Sequence, residues 1–400
     1  MNISHPSSHP CSGCGACSSI CPVDAIQLQL NTAGFFEAQV DENRCVNCSL
    51  CTKVCTRYEE ELSGISLYDG QLFALQSKEE KVVKSCSSGG IAHEIAKQAL
   101  LQNKKVVGAV YNVETNRVEH RIIDCIDDLS LLDGSKYLQS SPQIAFQEMV
   151  KTKEEYVVFG TPCQIAGMVK VCEEKGIRDR YLFVEIFCHG IPSYQLWDLQ
   201  LEKIEKKLHT NRFDSVIFRY KKDDWHSYCL QVKAKNKVYY GLREREVFWQ
   251  GFFENILLND SCFSCRYRKE ISSADIRLGD YWGSRFQKRS DGISAVFALT
   301  DKGKACIPKL DLISLEAGSP EEMLKAQNMK GYSQHELHEN AMDILRKQGI
   351  VASMKYISSH LSKKQKIKRS LLWLSSYIPS GIRANLKKAY SSFLLNRNRG

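Results

Sequence analysis

Eight of the 17 cysteines lie near the N-terminus in two runs with the same spacing, C-x2-C-x2-C-x3-C. The runs are Cys11, Cys14, Cys17 and Cys21, followed by Cys45, Cys48, Cys51 and Cys55. This spacing binds pairs of 4Fe-4S clusters, because three neighbouring thiolates hold one cluster and the fourth reaches the other. The ligands of one cluster are then Cys11, Cys14, Cys17 and Cys55 (the first set), and those of the other are Cys21, Cys45, Cys48 and Cys51 (the second set). The fourth cysteine of each run is expected at the start of a helix.

Zinc and disulfide bonds are the alternatives for these eight cysteines. A tetrahedral zinc site usually takes two separated C-x2-C pairs rather than a fourfold run that occurs twice. Disulfide frameworks are typical of short secreted chains, whereas this chain has 400 residues. Gly13 and Gly15 also suit a cluster loop, which must turn tightly and expose backbone N–H groups. The two runs therefore predict a small two-cluster, ferredoxin-like domain over residues 1–62.

Four further cysteines are candidate ligands of a third metal site. Cys262 and Cys265 form a C-x2-C turn that has no partner pair nearby in the sequence. Cys163 and Cys188 each follow a short apolar run, and a helical segment separates the two runs, which predicts a β-α-β unit with parallel strands. Because ligands bind at the carboxyl ends of such strands, these four cysteines (the inner set) would hold a 4Fe-4S cluster or zinc. The alternative for Cys163 and Cys188 is a small buried core residue, the commoner role of a lone cysteine.

The other cysteines show no ligand spacing. They are interpreted as core or surface thiols, and they are Cys86, Cys125, Cys172, Cys229 and Cys306. Cys86 differs from the other four, because it adjoins a turn of small residues.

That turn consists of Ser87, Ser88, Gly89 and Gly90, and an amphipathic segment that predicts a helix follows it. The N–H groups at a helix start and the helix dipole favour an anion such as a cofactor phosphate. The alternative is an ordinary N-cap with a flexible turn, since many helices begin with serine.

Composition indicates an ordinary globular protein of two or three domains, with 43% hydrophobic and 25% charged residues. The first ten residues lack a basic region followed by an apolar run, and no stretch approaches roughly 18 apolar residues. We therefore expect neither a signal peptide nor a spanning helix. Cysteines used as metal ligands suit a reducing compartment, so a cytoplasmic location is expected.

The net charge of +9 comes from the C-terminal tail. Of the 55 Lys and Arg residues, thirteen lie in residues 344–400, which contain no Asp or Glu. The first 343 residues carry 42 basic and 46 acidic side chains, which gives no support for binding of nucleic acid. Two interpretations of the tail are open: a helical appendage packed on the core, or a basic and apolar surface that contacts anionic lipid at a membrane.

Seven short motifs lie between about residues 70 and 305. They begin at Ser87 (SSGG), Gly134 (GSKYLQS), Gly160 (GTPCQIAG), Cys188 (CHGIPS), Cys262 (CFSC), Ala274 (ADIRLGDYWG) and Asp291 (DGISAVF). Each is weak alone, but together they resemble the coenzyme F420 hydrogenase/dehydrogenase beta-subunit family. With its fused ferredoxin-like domain and its tail, the chain is similar to members found among bacterial polysaccharide-biosynthesis proteins.

The resemblance implies a flavin, FAD in particular, beside an iron–sulfur cluster. The flavin-site residues that it implies are Ser87, Ser88, Gly89, Gly90 and Lys136. The ligands of an inner cluster that it implies are Cys163, Cys188, Cys262 and Cys265. Clusters carry one electron at a time and a flavin holds two, so a flavin couples clusters to a two-electron substrate.

The expected function is therefore an iron–sulfur flavoprotein oxidoreductase that exchanges electrons with a redox partner protein or a small-molecule carrier. The alternative is an electron-relay subunit that has no substrate site of its own. The expected fold is mixed α/β or α+β. After the ferredoxin-like domain, we expect an α/β flavin-binding domain in two parts, 70–150 and 151–315, with antiparallel strands over 214–250 and a turn at 301–303. A basic, helical tail is expected over 316–400.

Overall fold

The computed structural model describes residues 1–7, 9–59, 62–222, 224–226, 228–327 and 334–378. The N-terminal unit within it repeats one pattern twice. Helices α1 (Ala16–Ile20) and α2 (Leu50–Val54) each follow a cysteine loop, and strands β1 (Ile26–Leu30) and β2 (Phe36–Val40) pair antiparallel between them.

The residues that precede the two helices have left-handed backbone. Gly15 has a φ of 82° and Ser49 a φ of 65°, so the chain turns sharply just before each third cysteine. Cys21 and Cys55 follow the helices in extended conformation. The expectation that the fourth cysteine starts a helix was therefore wrong for Cys21, which α1 precedes because the helix spans the gap between the third and fourth cysteines. Cys55 does lead into a further helical turn, the 3-10 segment Thr56–Tyr58.

A nine-stranded mixed sheet forms the centre of the rest of the chain. Its spatial order is β16 (Leu312–Leu315), β4 (Gln71–Ser77), β15 (Ser294–Ala298), β14 (Ile276–Asp280), β9 (Tyr181–Ile186), β8 (Tyr156–Gly160), β5 (Lys105–Asn112), β6 (Arg117–Ile123) and β7 (Ser140–Ser141). Strands β14, β9, β8 and β5 are mutually parallel, and β15, β4 and β16 extend one edge antiparallel. Strands from both predicted parts, 70–150 and 151–315, share this sheet. The expectation of a mixed α/β fold is confirmed.

The predicted β-α-β unit is confirmed by β8, β9 and the helix between them, α6 (Pro162–Glu174). Thr161 and Gln164 form a capping box at its start, and Pro162 occupies the first turn, where a missing N–H costs nothing. This local chemistry explains why the strand stops at Gly160 and a helix begins at once.

The remaining helices cover both faces of the sheet and the C-terminal region. They are α3 (Glu80–Ser85), α4 (Ile91–Leu101), α5 (Gln143–Met149), α7 (Tyr194–Leu208), α8 (Val247–Phe253), α9 (Asp260–Phe263), α10 (Asp301–Cys306), α11 (Pro320–Ala326), α12 (His338–Gln348), α13 (Ile350–His360) and α14 (Lys363–Ser375). The expected turn at 301–303 is instead the first turn of α10. The Thr300 hydroxyl accepts a hydrogen bond from the Gly303 N–H and starts that helix.

Two smaller sheets complete the fold. Strands β10 (Ser215–Tyr220), β11 (Cys229–Ala234) and β12 (Lys237–Leu242) form the predicted antiparallel sheet. Strands β3 (Ile65–Ser66) and β13 (Ile271–Ser272) form a short pair that joins the connector after the N-terminal unit to the loop after the last C-x2-C turn.

The C-terminal helices pack on the same core as the three-stranded sheet. Ile357 of α13 and Leu345 of α12 join a buried cluster that includes Trp197, Phe218 and Trp249. The part of the predicted tail over 379–400 lies outside the described residues. None of the helices in the described part of the chain has the length and apolar character that crossing a bilayer requires.

The N-terminal unit is bonded to the main sheet region through glutamine side chains. The Gln139 amide accepts from the Phe36 N–H at 2.6 Å and donates to the Phe36 and Ser12 carbonyl oxygens at 3.0 and 3.1 Å. The Leu28 N–H donates to Gln143 Oε1 at 2.6 Å. Apolar residues of α1, α2, α5 and α6 share one buried cluster. The cysteine loops therefore sit at a fixed position against α5 and α6.

Candidate functional site

The first set of cysteines surrounds a small cavity in the N-terminal unit. Cys11, Cys14, Cys17 and Cys55 all line this cavity. Burial and the neighbouring sulfur of Cys55 raise the pKa of Cys14 to about 12. Burial and the surrounding sulfurs raise the pKa of Cys17 well above its ordinary value. Thiolates packed so closely away from water are stable only beside a cation, which the iron of a cluster supplies. The structure thus brings together the four residues that the spacing assigned to one cluster.

The second set lies nearer the surface. Cys48 is exposed and Cys45 and Cys21 are half-buried, whereas Cys51 is buried. Burial is the main cause of the raised pKa of Cys51, and the sulfur of Cys48 adds to it. The Cys51 sulfur is also among the groups that raise the pKa of Cys17, so the two sets adjoin.

The inner set also converges, although its members lie far apart in the sequence. Cys163 lies in the first turn of α6, Cys188 follows β9, Cys262 lies in α9 and Cys265 follows it. Burial and then the Cys265 sulfur raise the pKa of Cys188 to about 11. Burial also raises the pKa of Cys163, with contributions from the sulfurs of Cys265 and Cys188, and that of Cys262, with contributions from Cys188 and Cys265. Four half-buried thiols that converge in this way suit a 4Fe-4S cluster or a four-thiolate zinc site.

Helix α6 brings the inner set next to the first set. Cys14 is one of the groups that raise the pKa of Cys163, after burial and Cys265. One turn further along α6, a Cβ atom on Gly167 would lie 2.9 Å from Ala16 Cβ and 3.1 Å from Cys14 Sγ. A larger residue at position 167 would therefore push α6 away from Ala16 and Cys14. The absence of a side chain there permits close approach of the two cysteine sets.

Arg277 of β14 fixes the loop that follows Cys265. Its guanidinium is buried, pairs with Glu185 of β9 and donates to three backbone carbonyl oxygens within residues 267–271. A buried arginine that is saturated in this way holds its partners in one geometry. Sequence reasoning missed Arg277, because an arginine in an apolar strand carries no signal of what it contacts.

A cleft of about 460 Å³ opens beside Cys188. This volume is in the range of small-molecule and cofactor sites. Four of the predicted flavin-site residues line it: Ser87, Ser88, Gly90 and Lys136. Gly89 does not; its N–H donates to Ser294 Oγ at 3.0 Å and holds the turn against β15.

The polar part of the lining is built around the start of α4. Gly90 precedes the helix with a φ of 86°, and the next three residues, 91–93, also line the cleft. The N–H groups of a first turn have no partners within their helix, so they are available to an anion in the cleft. Ser87 has a second role, because its Oγ accepts from the Ser135 N–H at 2.8 Å and fixes the loop that carries Lys136.

Two half-buried lysines adjoin this turn. Burial lowers the pKa of Lys136 to about 8, and its Nζ donates to the carbonyl oxygens of Leu131 and Asp133. Burial likewise lowers the pKa of Lys221, to about 8, and its Nζ donates to the carbonyl oxygen of Ser88 at 2.6 Å. Sequence reasoning missed Lys221, since only the packing of β10 against the turn brings it there.

The apolar part of the lining is aromatic. Tyr137, Tyr228, Phe252 and Phe253 form a group of edge-to-face contacts, with ring centroids 5.0 to 5.9 Å apart. His189, the residue after Cys188, lies 4.7 Å from Phe252 and is bonded to Asn255. Burial lowers the pKa of His189 to about 4, so the imidazole is neutral at physiological pH. A flat aromatic ligand therefore has contact surface next to the inner set.

The five remaining cysteines differ in burial. Cys86, Cys172 and Cys229 are buried, Cys306 is half-buried and Cys125 is exposed. Cys172, a residue of α6, packs in an apolar cluster and is a core residue. Cys86 lines the cleft.

Two segments of the chain match known protein families. Residues 10–57 match a 4Fe-4S dicluster domain. Residues 153–322 match the family described as the C terminus of the beta subunit of coenzyme F420 hydrogenase/dehydrogenase. The chain combines a 4Fe-4S dicluster domain with a domain of this coenzyme F420 hydrogenase/dehydrogenase family. The first match contains both cysteine runs, and the second contains five of the seven motifs that carry the resemblance.

Two relatives have similar sequences. A component of the F(420)H(2) dehydrogenase of Methanosarcina mazei, its F subunit, is 23% identical over 204 residues, which cover 48% of this chain and 56% of that protein. An uncharacterized protein of Methanocaldococcus jannaschii, MJ1349, is 25% identical over 326 residues, which cover 70% of this chain and 86% of that protein. The chain thus spans just over half of the length of the first relative.

A solved structure of the F420-reducing [NiFe] hydrogenase complex from Methanosarcina barkeri contains a similar chain. The two share 16% identity and a TM-score of 0.43, over 75% of this chain and 94% of that one.

Proposed function

We propose that this protein is a flavin-dependent iron–sulfur oxidoreductase in which the inner set connects the N-terminal clusters to the cleft. One observation supports this most directly. Helix α6, which carries Cys163, approaches Cys14 of the first set closely at Gly167, and Cys188, from the same inner set as Cys163, lines the cleft. A metal centre held by the inner set would therefore lie between the N-terminal clusters and the cofactor site.

The exposure of the cysteines suggests the order of the centres. The second set includes the exposed Cys48, whereas Cys14, Cys17 and Cys55 of the first set are buried. An external electron carrier reaches the second set most easily. The proposed route then runs from the second set to the first set, the inner set and the cleft, or in the opposite direction.

The chemistry of the inner set favours a 4Fe-4S cluster over zinc in this proposal. Both metals accept four thiolates, but zinc has no redox chemistry. A zinc ion between Cys14 and the cleft would interrupt the route that the other centres form.

The residues of the cleft fit a flavin. The start of α4 and Lys136 suit phosphate groups, and the aromatic lining beside His189 suits a flat ring system. A flavin there would accept electrons singly and hand them on in pairs. The chain supplies the position next to Cys188, whose half-buried thiol lines the cleft.

The identity of the two-electron substrate belongs to the same proposal. The Methanosarcina mazei relative is named for F(420)H(2), and coenzyme F420 is accordingly one candidate. The sequence similarity to polysaccharide-biosynthesis proteins supports an alternative substrate of that metabolism. Reduced F420 can be added anaerobically to protein that is loaded with iron and flavin. If F420 is the substrate, the flavin absorbance should bleach.

Anaerobic metal and flavin analysis of the full chain tests the central proposal. We expect about twelve iron atoms, in three cubanes, and one flavin per chain. About eight iron atoms would rule out the inner cluster but leave the two N-terminal clusters. An iron-loaded protein that retains no flavin from a solution of FAD or FMN would contradict the enzyme function.

An electron-relay protein without a substrate site is the second candidate. The first relative favours it, because that protein is named as one subunit of a dehydrogenase. The buried clusters and the exposed Cys48 are compatible with either role. Turnover of an artificial two-electron acceptor by the isolated chain would support the enzyme, and its absence in flavin-loaded protein would support the relay.

We also propose that α14 contacts a membrane surface. Arg369 pairs with Glu254, and Arg245 donates to Ser376, so polar residues attach this helix to the core. Leu371 and Leu374 are 61% and 56% exposed on it. Lysines are concentrated in its first two turns. An exposed apolar face beside lysines suits a bilayer with anionic headgroups.

A further inference from the structure

Three side chains that the proposed electron route does not use meet on one wall of the cleft. Cys86 follows α3, His93 lies in the first turn of α4, and Asp133 follows the 3-10 segment Ile126–Leu132. All three line the cleft. Their sulfur, imidazole nitrogen and carboxylate oxygen lie within 4.8 Å of one another.

The carboxylate of Asp133 is at the centre of the group. His93 Nδ1 lies 2.8 Å from Asp133 Oδ1, and Cys86 Sγ lies 3.5 Å from the same oxygen. Ligand atoms around a tetrahedral zinc ion, at about 2.0 to 2.3 Å from the metal, are roughly 3.3 to 3.6 Å apart. The sulfur–oxygen distance already matches. The nitrogen–oxygen pair needs to open by only about half an ångström.

The orientation of His93 argues against a cysteine nucleophile. In a Cys–His pair the imidazole must accept the thiol proton directly. Here His93 and Cys86 both approach Asp133 Oδ1, and a carboxylate next to a thiol opposes formation of the thiolate. Sulfur, nitrogen and oxygen atoms that lie this close together are better explained as metal ligands.

The second carboxylate oxygen of Asp133 accepts a hydrogen bond of its own. Ser85 Oγ donates to Asp133 Oδ2 at 2.7 Å, the kind of contact that orients a ligating carboxylate. Lys136 Nζ donates to the backbone carbonyl oxygens of Leu131 and Asp133, which leaves the Asp133 carboxylate to Ser85, His93 and Cys86.

We propose that Cys86, His93 and Asp133 bind one Zn²⁺ ion whose fourth position faces the cleft. A mixed sulfur, nitrogen and oxygen donor set suits zinc better than magnesium or calcium, which prefer oxygen alone. Three protein ligands with one open position are typical of a zinc ion that binds a substrate oxygen. The ion would polarise an oxygen of the ligand in the cleft. This site does not depend on the presence of a flavin or of an inner cluster.

Metal content of three variants, measured with the full chain loaded anaerobically with iron, sulfide and Zn²⁺, tests the site. We expect about one zinc per chain in the wild type and at least a tenfold loss in Cys86→Ser and in His93→Ala. Cys306→Ser removes a half-buried thiol outside the group and is expected to keep the zinc. Iron content and the circular dichroism spectrum should be unchanged in all three, which separates loss of the site from loss of the fold.

Zinc bound by the inner set would be a different result, and Cys262→Ser identifies it. That variant is expected to lose iron and keep zinc. Zinc that disappears in Cys262→Ser but remains in Cys86→Ser and His93→Ala would overturn the proposal. So would a wild-type protein that retains no zinc after loading.

Substitution by cobalt gives an independent readout. A thiolate bound to Co²⁺ in a tetrahedral site absorbs in the near ultraviolet and in the visible. We expect this absorbance in the wild type and in Cys262→Ser but not in Cys86→Ser. The spectrum of the zinc-loaded form of each protein is subtracted, which removes the absorbance of the iron–sulfur clusters. Absence of the cobalt bands from the wild type would contradict a cysteine-ligated site.

Discussion

Two cysteines on α6 provide a controlled test of the inner set at the scale of single residues. Cys163 lies in the first turn near Cys265 and Cys14, whereas Cys172 is fully buried in an apolar cluster. They are the same residue type on the same helix, so their substitution separates ligation from packing. Cys163→Ser is expected to lower the iron content from about twelve to about eight atoms per chain. Cys172→Ser should retain about twelve and lose only packing free energy.

Iron and acid-labile sulfide analysis of anaerobic protein measures the difference. Equal iron content in the two variants would show that Cys163 is not a cluster ligand. Loss of one zinc and no iron in Cys163→Ser would instead assign the inner set to zinc. Either result leaves the assignment of the N-terminal clusters unchanged, because their ligands lie in a separate unit.

At the same scale, the sequence predicted residues where local spacing or a recognisable motif carries the chemistry. The two runs of four cysteines can be recognised because a cluster fixes the separation of its nearest ligands. The group of Cys86, His93 and Asp133 has no such spacing, since a turn of α4 and a distant 3-10 segment create it. Lys221 and Arg277 were missed for the same reason. Their positions depend on how strands pack, which one sequence does not show.

Helix α6 is the element that sets the distance between the first set and the inner set. Gly167 allows its backbone to approach Ala16 and Cys14. Alanine has a helix propensity about 0.8 to 1 kcal/mol more favourable than glycine, so Gly167→Ala would stabilise an isolated helix. In this position the new methyl group overlaps Ala16. We therefore expect net destabilisation, by roughly 1 to 3 kcal/mol, and slower electron transfer to the cleft.

Thermal unfolding and the rate of flavin reduction, measured on the same preparations, test this prediction. Glu173→Ala is a suitable control, because Glu173 is exposed on the same helix. An increase in the stability of Gly167→Ala with an unchanged rate would mean that the contact between α6 and the N-terminal unit is loose.

The exposed face of α14 is a second feature at the scale of elements. Burial of a leucine side chain contributes about 1.5 to 3 kcal/mol. Replacing Leu371 and Leu374 by glutamate should therefore lower binding to vesicles that contain anionic phospholipid by more than tenfold. Leu101→Glu is a matched control, since Leu101 is 62% exposed on α4. Co-sedimentation with vesicles provides the measurement, and equal binding of all variants would leave α14 as a helix of the core alone.

Elements were predicted best where the apolar pattern is clear. The strand and the helix over residues 156–174 form as their sequence indicates, and the structure adds a capping box between them. The residues expected to form a turn at 301–303 form a helix instead, because Thr300 caps it. Local sequence patterns do not show whether the two predicted parts, 70–150 and 151–315, fold as separate units. Strands of both parts are combined in one sheet, and strand order depends on contacts between distant residues.

For the whole molecule, the proposed route places the entry of electrons and their use at different centres. The exposed Cys48 and the cleft lie at opposite ends of this route, and the mostly buried first set and the half-buried inner set lie between them. In this arrangement the cleft is not the point at which a one-electron carrier enters. A protein electron donor would then depend on the second set, whereas a two-electron reductant that enters the cleft would not.

This separation predicts different effects of one substitution on two reactions. In Cys48→Ser, flavin reduction by a reduced two-cluster ferredoxin should slow at least tenfold, because the second cluster is disrupted and the donor must reach a buried centre. Flavin reduction by borohydride, which enters the cleft directly, should keep its rate. Cys125→Ser removes another exposed thiol and should leave both rates unchanged. Anaerobic stopped-flow absorbance records both reactions, and equal slowing of the two would mean that the second set supports the fold rather than the entry of electrons.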